Sequence, residues 1–458
     1  MIRRRFWSFV ALLLAAMAVA EFSSARQESQ TYDEAEHLSF GYAALTRRDF
    51  SLGSEHPPLG RMLAALPLLL VHPALPAPAP GSALPDEFGF GADFLYHNRI
   101  PADTLLLLGR GVIMALSLGL GLLLALCARR WFGAGPAVLA LFLYALDPTM
   151  IAHSRYVTTD LIAALTIFLA CWTWGGYLLE RRAARLLLSG MALGAALLSK
   201  FSAVVLLPVF ALLYLARWWQ EQNPIADPAH RLSLPHFARA GAACLLAASL
   251  TIYAGYQFET RTALSDPQAA AVLAALPHHG VPIAHPFGIL RRLNPAGPAS
   301  RALYWTAAHC PVPAYSFWKG LYLVAAYHQR GDRAYLLGRW TKQGRILYFP
   351  VAFAVKTPAA MLLLFACSLV VVLWRAAGVA RGERKAALRA LPFAWFVVAI
   401  PPAVYFLFSV AANLNIGVRH LLPVYPFLVM WIAAVLLGEP GDRLPRAWRA
   451  AVLSLACC

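Results

Sequence analysis

The chain has 458 residues, 60% of them hydrophobic and only 13% charged, where an average soluble domain carries about 25% charged residues. That composition excludes disorder and a water-soluble enzyme of this length. Its 39 Lys and Arg against 22 Asp and Glu give a net charge of +17, which in a polar protein points to nucleic acid; in so apolar a chain basic residues report membrane topology first, and no nucleic-acid partner is expected.

The first apolar run, Phe6 to Phe22, follows Arg3-Arg4-Arg5. It reads as a retained helix over residues 1–22, with a cleavable secretory signal ending near Ala18-Val19-Ala20 as the alternative. Either way the chain emerges on the outer face near Ser23. Runs long enough to cross about 30 Å of hydrocarbon follow at Thr104–Cys127, Ala134–Met150, Leu161–Leu179, Ala240–Phe258, Ile346–Trp374, Leu391–Ala411 and Leu421–Leu437. Leu186–Arg217 is too long for one crossing and carries Lys200 near its middle, so it reads as a helical hairpin turning at Lys200. Pro57–Pro73 is apolar, but it opens on two prolines and holds Arg61 and Pro67.

Charge decides both ambiguous stretches. With Pro57–Pro73 outside and Leu186–Arg217 as a hairpin, the short inner loops hold 16 Lys and Arg and the short outer loops hold Arg155, Lys200 and Arg419. That is the positive-inside pattern. The expected fold is therefore an all-α multi-pass membrane protein with its amino end inside and about ten transmembrane helices. It divides into outer loop 23–103, helices over 104–258, outer loop 259–345, helices over 346–437, and an inner segment 438–458. An apolar run from Ala450 stops at Cys458, too short to span, which leaves open a longer protein of which this is the front part. Pro73–Pro85 reads as an extended linker. Tyr32–Phe50 reads as a juxtamembrane helix on the membrane face, with Leu38, Tyr42 and Leu45 at three- and four-residue steps. The seven cysteines have no metal-ligand spacing and suit apolar packing.

The outer edge collects ionisable residues. Asp33-Glu34 fits a favourable charge at a helix start or a general base that takes a proton from an attacking hydroxyl. Asp33 and His37 share a helical face and, with His56, form a candidate divalent-metal set; Glu36 and Glu55 add further oxygens. Asp160 follows Thr158-Thr159 at a helix start and fits a cap or a site carboxylate. Lys200, Lys356, Arg419 and His420 lie toward the same side, where snorkelling to headgroups competes with binding a phosphate. Cations and carboxylates on one face suit transfer of a sugar from a lipid-borne phosphate, and the chain carries no P-loop. A single displacement of that kind inverts the anomeric carbon.

The ordered motifs Asp33–Leu38, Gly41-Tyr42, Asp49-Phe50, Glu55–Leu59, Tyr156–Asp160, Leu198–Phe201, Tyr335–Gly338, Tyr348–Pro350, Lys356–Pro358 and Ile416–Pro423 resemble the GT-C fold membrane glycosyltransferases. The resemblance is to the bacterial phospholipid-carrier-dependent group related to protein O-mannosyltransferases and the aminoarabinose transferase of lipid A, and it covers about Asp33 to Pro426. It implies a polyprenyl-phosphate sugar donor, a hydroxyl or phosphate acceptor, and an inner-membrane enzyme working on the outer face. It implies catalytic roles for Asp33, with Glu34 beside it and Asp160 organising the site, and phosphate binding by Lys200, Lys356 and Arg419. A divalent metal is used by some relatives and not by others. A transporter or lipid flippase is the alternative, although no repeat symmetry is visible. A non-catalytic envelope scaffold is a third reading.

Overall fold

A computed structural model describes residues 2–77, 86–222, 232–266, 308–341 and 344–438, together with 302, 305 and 306. The linker core 78–85, most of the second outer loop and the segment 439–458 lie outside the described residues. Helices dominate, with two small antiparallel strand pairs, Thr260–Arg261 with Val312–Pro313 and Ala334–Leu336 with Arg339–Thr341.

Among the described residues seven helices are long and apolar enough to span a membrane: Arg5–Ala25, within helix α1 (Ile2–Ala25), then Ala102–Phe132, Asp160–Glu180, Phe201–Glu221, Leu234–Gly255, Ala359–Ala377 and Val418–Leu437. Arg384–Ala390 with Ala394–Val410 makes an eighth only if a pair bent by 99° counts as one span. The expected number was about ten. Two of the expected crossings contain shorter apolar helices, Ala134–Ala145 and Ala183–Ser199, of about 18 and 26 Å at 1.5 Å per residue.

Burial orders the helices. The spans Asp160–Glu180 and Val418–Leu437 are 83% and 89% buried, whereas Arg5–Ala25 and Ala359–Ala377 are 22% buried. The first two are apolar all round and form the centre; the outer two keep an apolar face for lipid. Leu186–Arg217 is a hairpin, as expected. Its helix Ala183–Ser199 stops where Lys200 turns extended, φ −159° and ψ 135°. Lys200 pairs with Asp160, at the start of Asp160–Glu180, while Glu221 returns to Arg181 just beyond that helix's far end. Arg130–Glu180 and Arg185–Glu180 join the Arg181 end. Asp33, Arg110, Arg155, Asp160, Lys200 and Arg419 gather at the other.

Helix α2 of the first outer segment, Glu34–Arg47, is enclosed by the fold: Ala35, Leu38, Phe40, Tyr42 and Ala43, on several sides of it, are all buried. It is wedged against α3, Leu59–Ala65, where a Cβ on Gly41 would stand 2.1 Å from the carbonyl oxygen of Arg61. Only glycine allows that approach. Pro57–Pro73 is broken into α3 and the four-residue helix Leu68–Val71, far too short to cross. Cys127, Cys171 and Cys244 are free and buried in apolar surroundings.

Candidate active site

Asp33 occupies the N-cap position of α2, yet its side chain makes no capping bond. Instead Oδ2 accepts a 2.5 Å hydrogen bond from Nη1 of Arg419, which enters from the 3-10 segment Val418–Val424. Both side chains are partly exposed, 37% for Arg419 and 23% for Asp33. The pair is therefore reachable from outside the fold. Asp33 thus places its charge at a helix start, with the carboxylate turned to a cation and not to the helix amides.

Asp160 heads its helix next to Thr159, and no side-chain cap forms there either. Its carboxylate is buried and pairs with the Lys200 ammonium. Asp160 also feels the charge of Arg419, so the two ion pairs form one electrostatic cluster.

Glu34 has a different role from its neighbour. It is fully buried and takes both forks of Arg110, at 2.9 and 2.6 Å, plus the backbone N–H groups of Thr31 at 2.8 Å and Val157 at 3.0 Å. A carboxylate so saturated has no free lone pair for a substrate proton. The expectation of a catalytic Glu34 is corrected to a structural one. Arg110 also donates to the carbonyls of Ala25, Glu28 and Ser29. One guanidinium thus fixes the exit of the first helix, the start of α2 and, through Glu34, the strand of chain leading to Asp160. Beside it Glu28 accepts from Arg155 and from the Tyr156 hydroxyl at 2.7 Å, and the Arg155 guanidinium holds its carboxyl down at about 2.

The sequence reading missed Arg110 although the signal was present. An arginine inside the run Thr104–Cys127 is costly in a bilayer and marks a partner or a function.

Lys356 is exposed at the end of helix Tyr348–Lys356; its carbonyl accepts from Thr149 at 3.2 Å, and no ion pair reaches its ammonium among the described residues. His420 is buried against Phe349 and Tyr405, with neither ring nitrogen bonded among the described residues. Its ring sits among these aromatic groups close to the Asp160–Lys200 pair. The metal set is not assembled. His37 and His56 lie edge to face at 5.0 Å, Asp33 is engaged by Arg419, and no three His, Cys, Asp or Glu side chains among the described residues converge to hold an ion. Burial pushes the His37 imidazole down to about 3 and His56 lower than usual as well. Both are neutral rings in this packing.

Comparison with known proteins agrees with the architecture. A family model described as dolichyl-phosphate-mannose-protein mannosyltransferase matches residues 107–238. No curated protein sequence matches the chain. Among solved structures the chain is similar to ArnT from Cupriavidus metallidurans, both in the apo state and bound to undecaprenyl phosphate. In each case the identity is 16% and the TM-score 0.53, covering 98% of this chain and 62% of that chain. It is similar also to the S. cerevisiae protein O-mannosyltransferase Pmt1-Pmt2 complex bound to the sugar donor, at 23% identity and TM-score 0.40, over 55% of this chain and 33% of that one. The likeness to ArnT establishes the GT-C fold of a multi-pass membrane protein. This chain spans 62% of the ArnT chain.

Proposed function

We propose that this GT-C fold protein is an inverting glycosyltransferase that moves a sugar from a polyprenyl-phosphate donor to a hydroxyl or phosphate acceptor at the outer face of a bacterial inner membrane. The observation that carries the reading is the convergence of Asp33–Arg419 and Asp160–Lys200 at one end of the helix bundle. The ligand of the similar ArnT structure, undecaprenyl phosphate, supports the class of donor.

In this mechanism the donor phosphate binds Arg419, with Lys200 and Lys356 as further cations. Its growing negative charge on departure is stabilised by fixed cations in a partly dry setting, where each is worth more than in water. Asp33, released from Arg419 as the phosphate competes for the guanidinium, accepts the proton of the acceptor hydroxyl while that oxygen attacks the anomeric carbon from the face opposite the phosphate. The new glycosidic bond forms as the carbon–phosphate oxygen bond breaks, and the polyprenyl phosphate leaves with the electron pair. Asp160 holds Lys200 in place. Glu34 and Arg110 hold the loop that carries Asp33.

The test uses the protein reconstituted in liposomes with radiolabelled polyprenyl-phosphate sugars, and cell extracts as the source of acceptor. Wild-type chain transfers label and Asp33→Asn loses about 100-fold or more, the usual share of a general base, while still inserting. Full transfer by Asp33→Asn overturns the assignment.

A further inference from the structure

The hairpin Ala334–Leu336 and Arg339–Thr341, which contains the motif Tyr335–Gly338, takes no part in the chemistry above. Its register sets Tyr335 opposite Trp340 and Leu336 opposite Arg339. Ala334 and Leu336 are buried, so strand alternation turns Tyr335 outward. Tyr335 and Trp340 are 55% and 71% exposed, with ring centroids 5.4 Å apart. In the turn Leu337 is 75% exposed at φ 49°, a left-handed conformation that glycine or asparagine adopts at less cost. An apolar side chain held exposed on a strained backbone marks a contact beyond the fold. The apolar surface continues through Ile346 and Leu347, 72% and 63% exposed, into the helix that precedes the span Ala359–Ala377.

The charge of this strip is predominantly positive. Arg330, Arg333 and Arg339 are exposed and Arg345 is half-buried. Asp332, the single acidic residue in 330–347, accepts a hydrogen bond from the Tyr327 hydroxyl at 2.5 Å. Tyr and Trp favour the layer between water and hydrocarbon, and clustered arginines favour anionic headgroups.

We propose that this hairpin is a membrane-surface anchor, with Tyr335, Leu337 and Trp340 seated in the headgroup layer beside the Ala359–Ala377 span and Arg333 and Arg339 binding anionic phospholipid. The surface holds the second outer segment down at the bundle end that carries Asp33 and Arg419.

The test places the full chain in nanodiscs, with its native cysteines replaced and Leu337→Cys carrying an NBD fluorophore; Trp340→Cys provides a second reporter site. The expected emission is blue-shifted and quenched by nitroxide lipid, at least about twofold more in phosphatidylglycerol than in phosphatidylcholine. Arg333→Gln with Arg339→Gln removes the difference between the two lipids and leaves the blue shift. Water-like, unquenched emission at both reporter sites in both lipids, in a chain that keeps its elution profile and helicity, overturns the proposal. So does a shift that arises only in discs holding two copies, which assigns the face to a contact between chains.

Discussion

Arg419 Nη1 donates to Asp33 Oδ2 at 2.5 Å across 386 positions of sequence. The start of the span Val418–Leu437 therefore meets the motif near the beginning of the chain. The pairing also gives an incoming phosphate a guanidinium whose two N–H edges it can bridge.

Replacing Arg419 by Gln removes a hydrogen bond between charged groups. About 1.5–3 kcal/mol is at stake, equivalent to a fall in kcat/KM of roughly 10–100-fold. Arg419→Lys keeps the charge without the fork and should fall between the two. Steady-state transfer at varied donor concentration separates them, and an Arg419→Gln chain with wild-type kcat/KM would remove Arg419 from the site.

Lys200→Met leaves the Asp160 carboxylate buried without its partner. Removing one half of a buried pair costs about 3–5 kcal/mol, so thermal unfolding in detergent should fall sharply. Lys200→Met with Asp160→Asn should recover much of the stability but not transfer. If the double variant is both stable and active, Lys200 and Asp160 serve packing alone.

Arg110→Leu should destabilise by a similar ~3–5 kcal/mol, because Glu34 loses its counter-charge and the carbonyls of Ala25, Glu28 and Ser29 lose a donor. Glu34→Gln keeps the shape and one acceptor, and should cost less. Unfolding of the two variants side by side tests the order. Equal losses would contradict the network.

Glu36, next to the site on α2, has its carboxyl pushed up to about 7, by burial first and by Asp33 and Glu87 next. A raised pKa means the folded state holds a proton that the unfolded chain has released between about pH 4.5 and 7. The sign follows: stability is fullest below 4.5 and declines as the pH rises through 7. Glu36→Gln should flatten that decline, leaving stability unchanged at pH 4 and raised at pH 8. Parallel pH slopes in the two proteins would count against it.

Gly41→Ala sets a methyl group 2.1 Å from the Arg61 carbonyl oxygen. Overpacking of that kind costs about 1–3 kcal/mol, and here it parts α2 from α3 and tilts Asp33 at the head of α2. Both the unfolding temperature and kcat should drop. Ala at Gly111, where a Cβ meets nothing within 4 Å, is the control and should be near neutral.

Much of this protein is legible from residue order alone. Run lengths and the one-sided distribution of Lys and Arg imply a multi-pass helical protein, because a bilayer admits few other solutions. The break at Lys200 follows from a run too long for one crossing. The acidic motif Asp33-Glu34 and the distant Lys200 and Arg419 stand out as charges in apolar company. The number of spans is less legible: Ala134–Met150 contains a helix of only 12 residues, because Leu146 and Asp147 end it before the run ends.

Sequence determined the residue types and their order, since membrane solvation acts on each apolar run separately. Tertiary structure decided the roles. Neighbours in sequence, Asp33 and Glu34, project from one helix start in different directions: one meets Arg419 near solvent, the other is sealed against Arg110. The partner of each is set by which helix packs alongside, and that depends on long-range packing, such as the Gly41 approach, that no local pattern encodes.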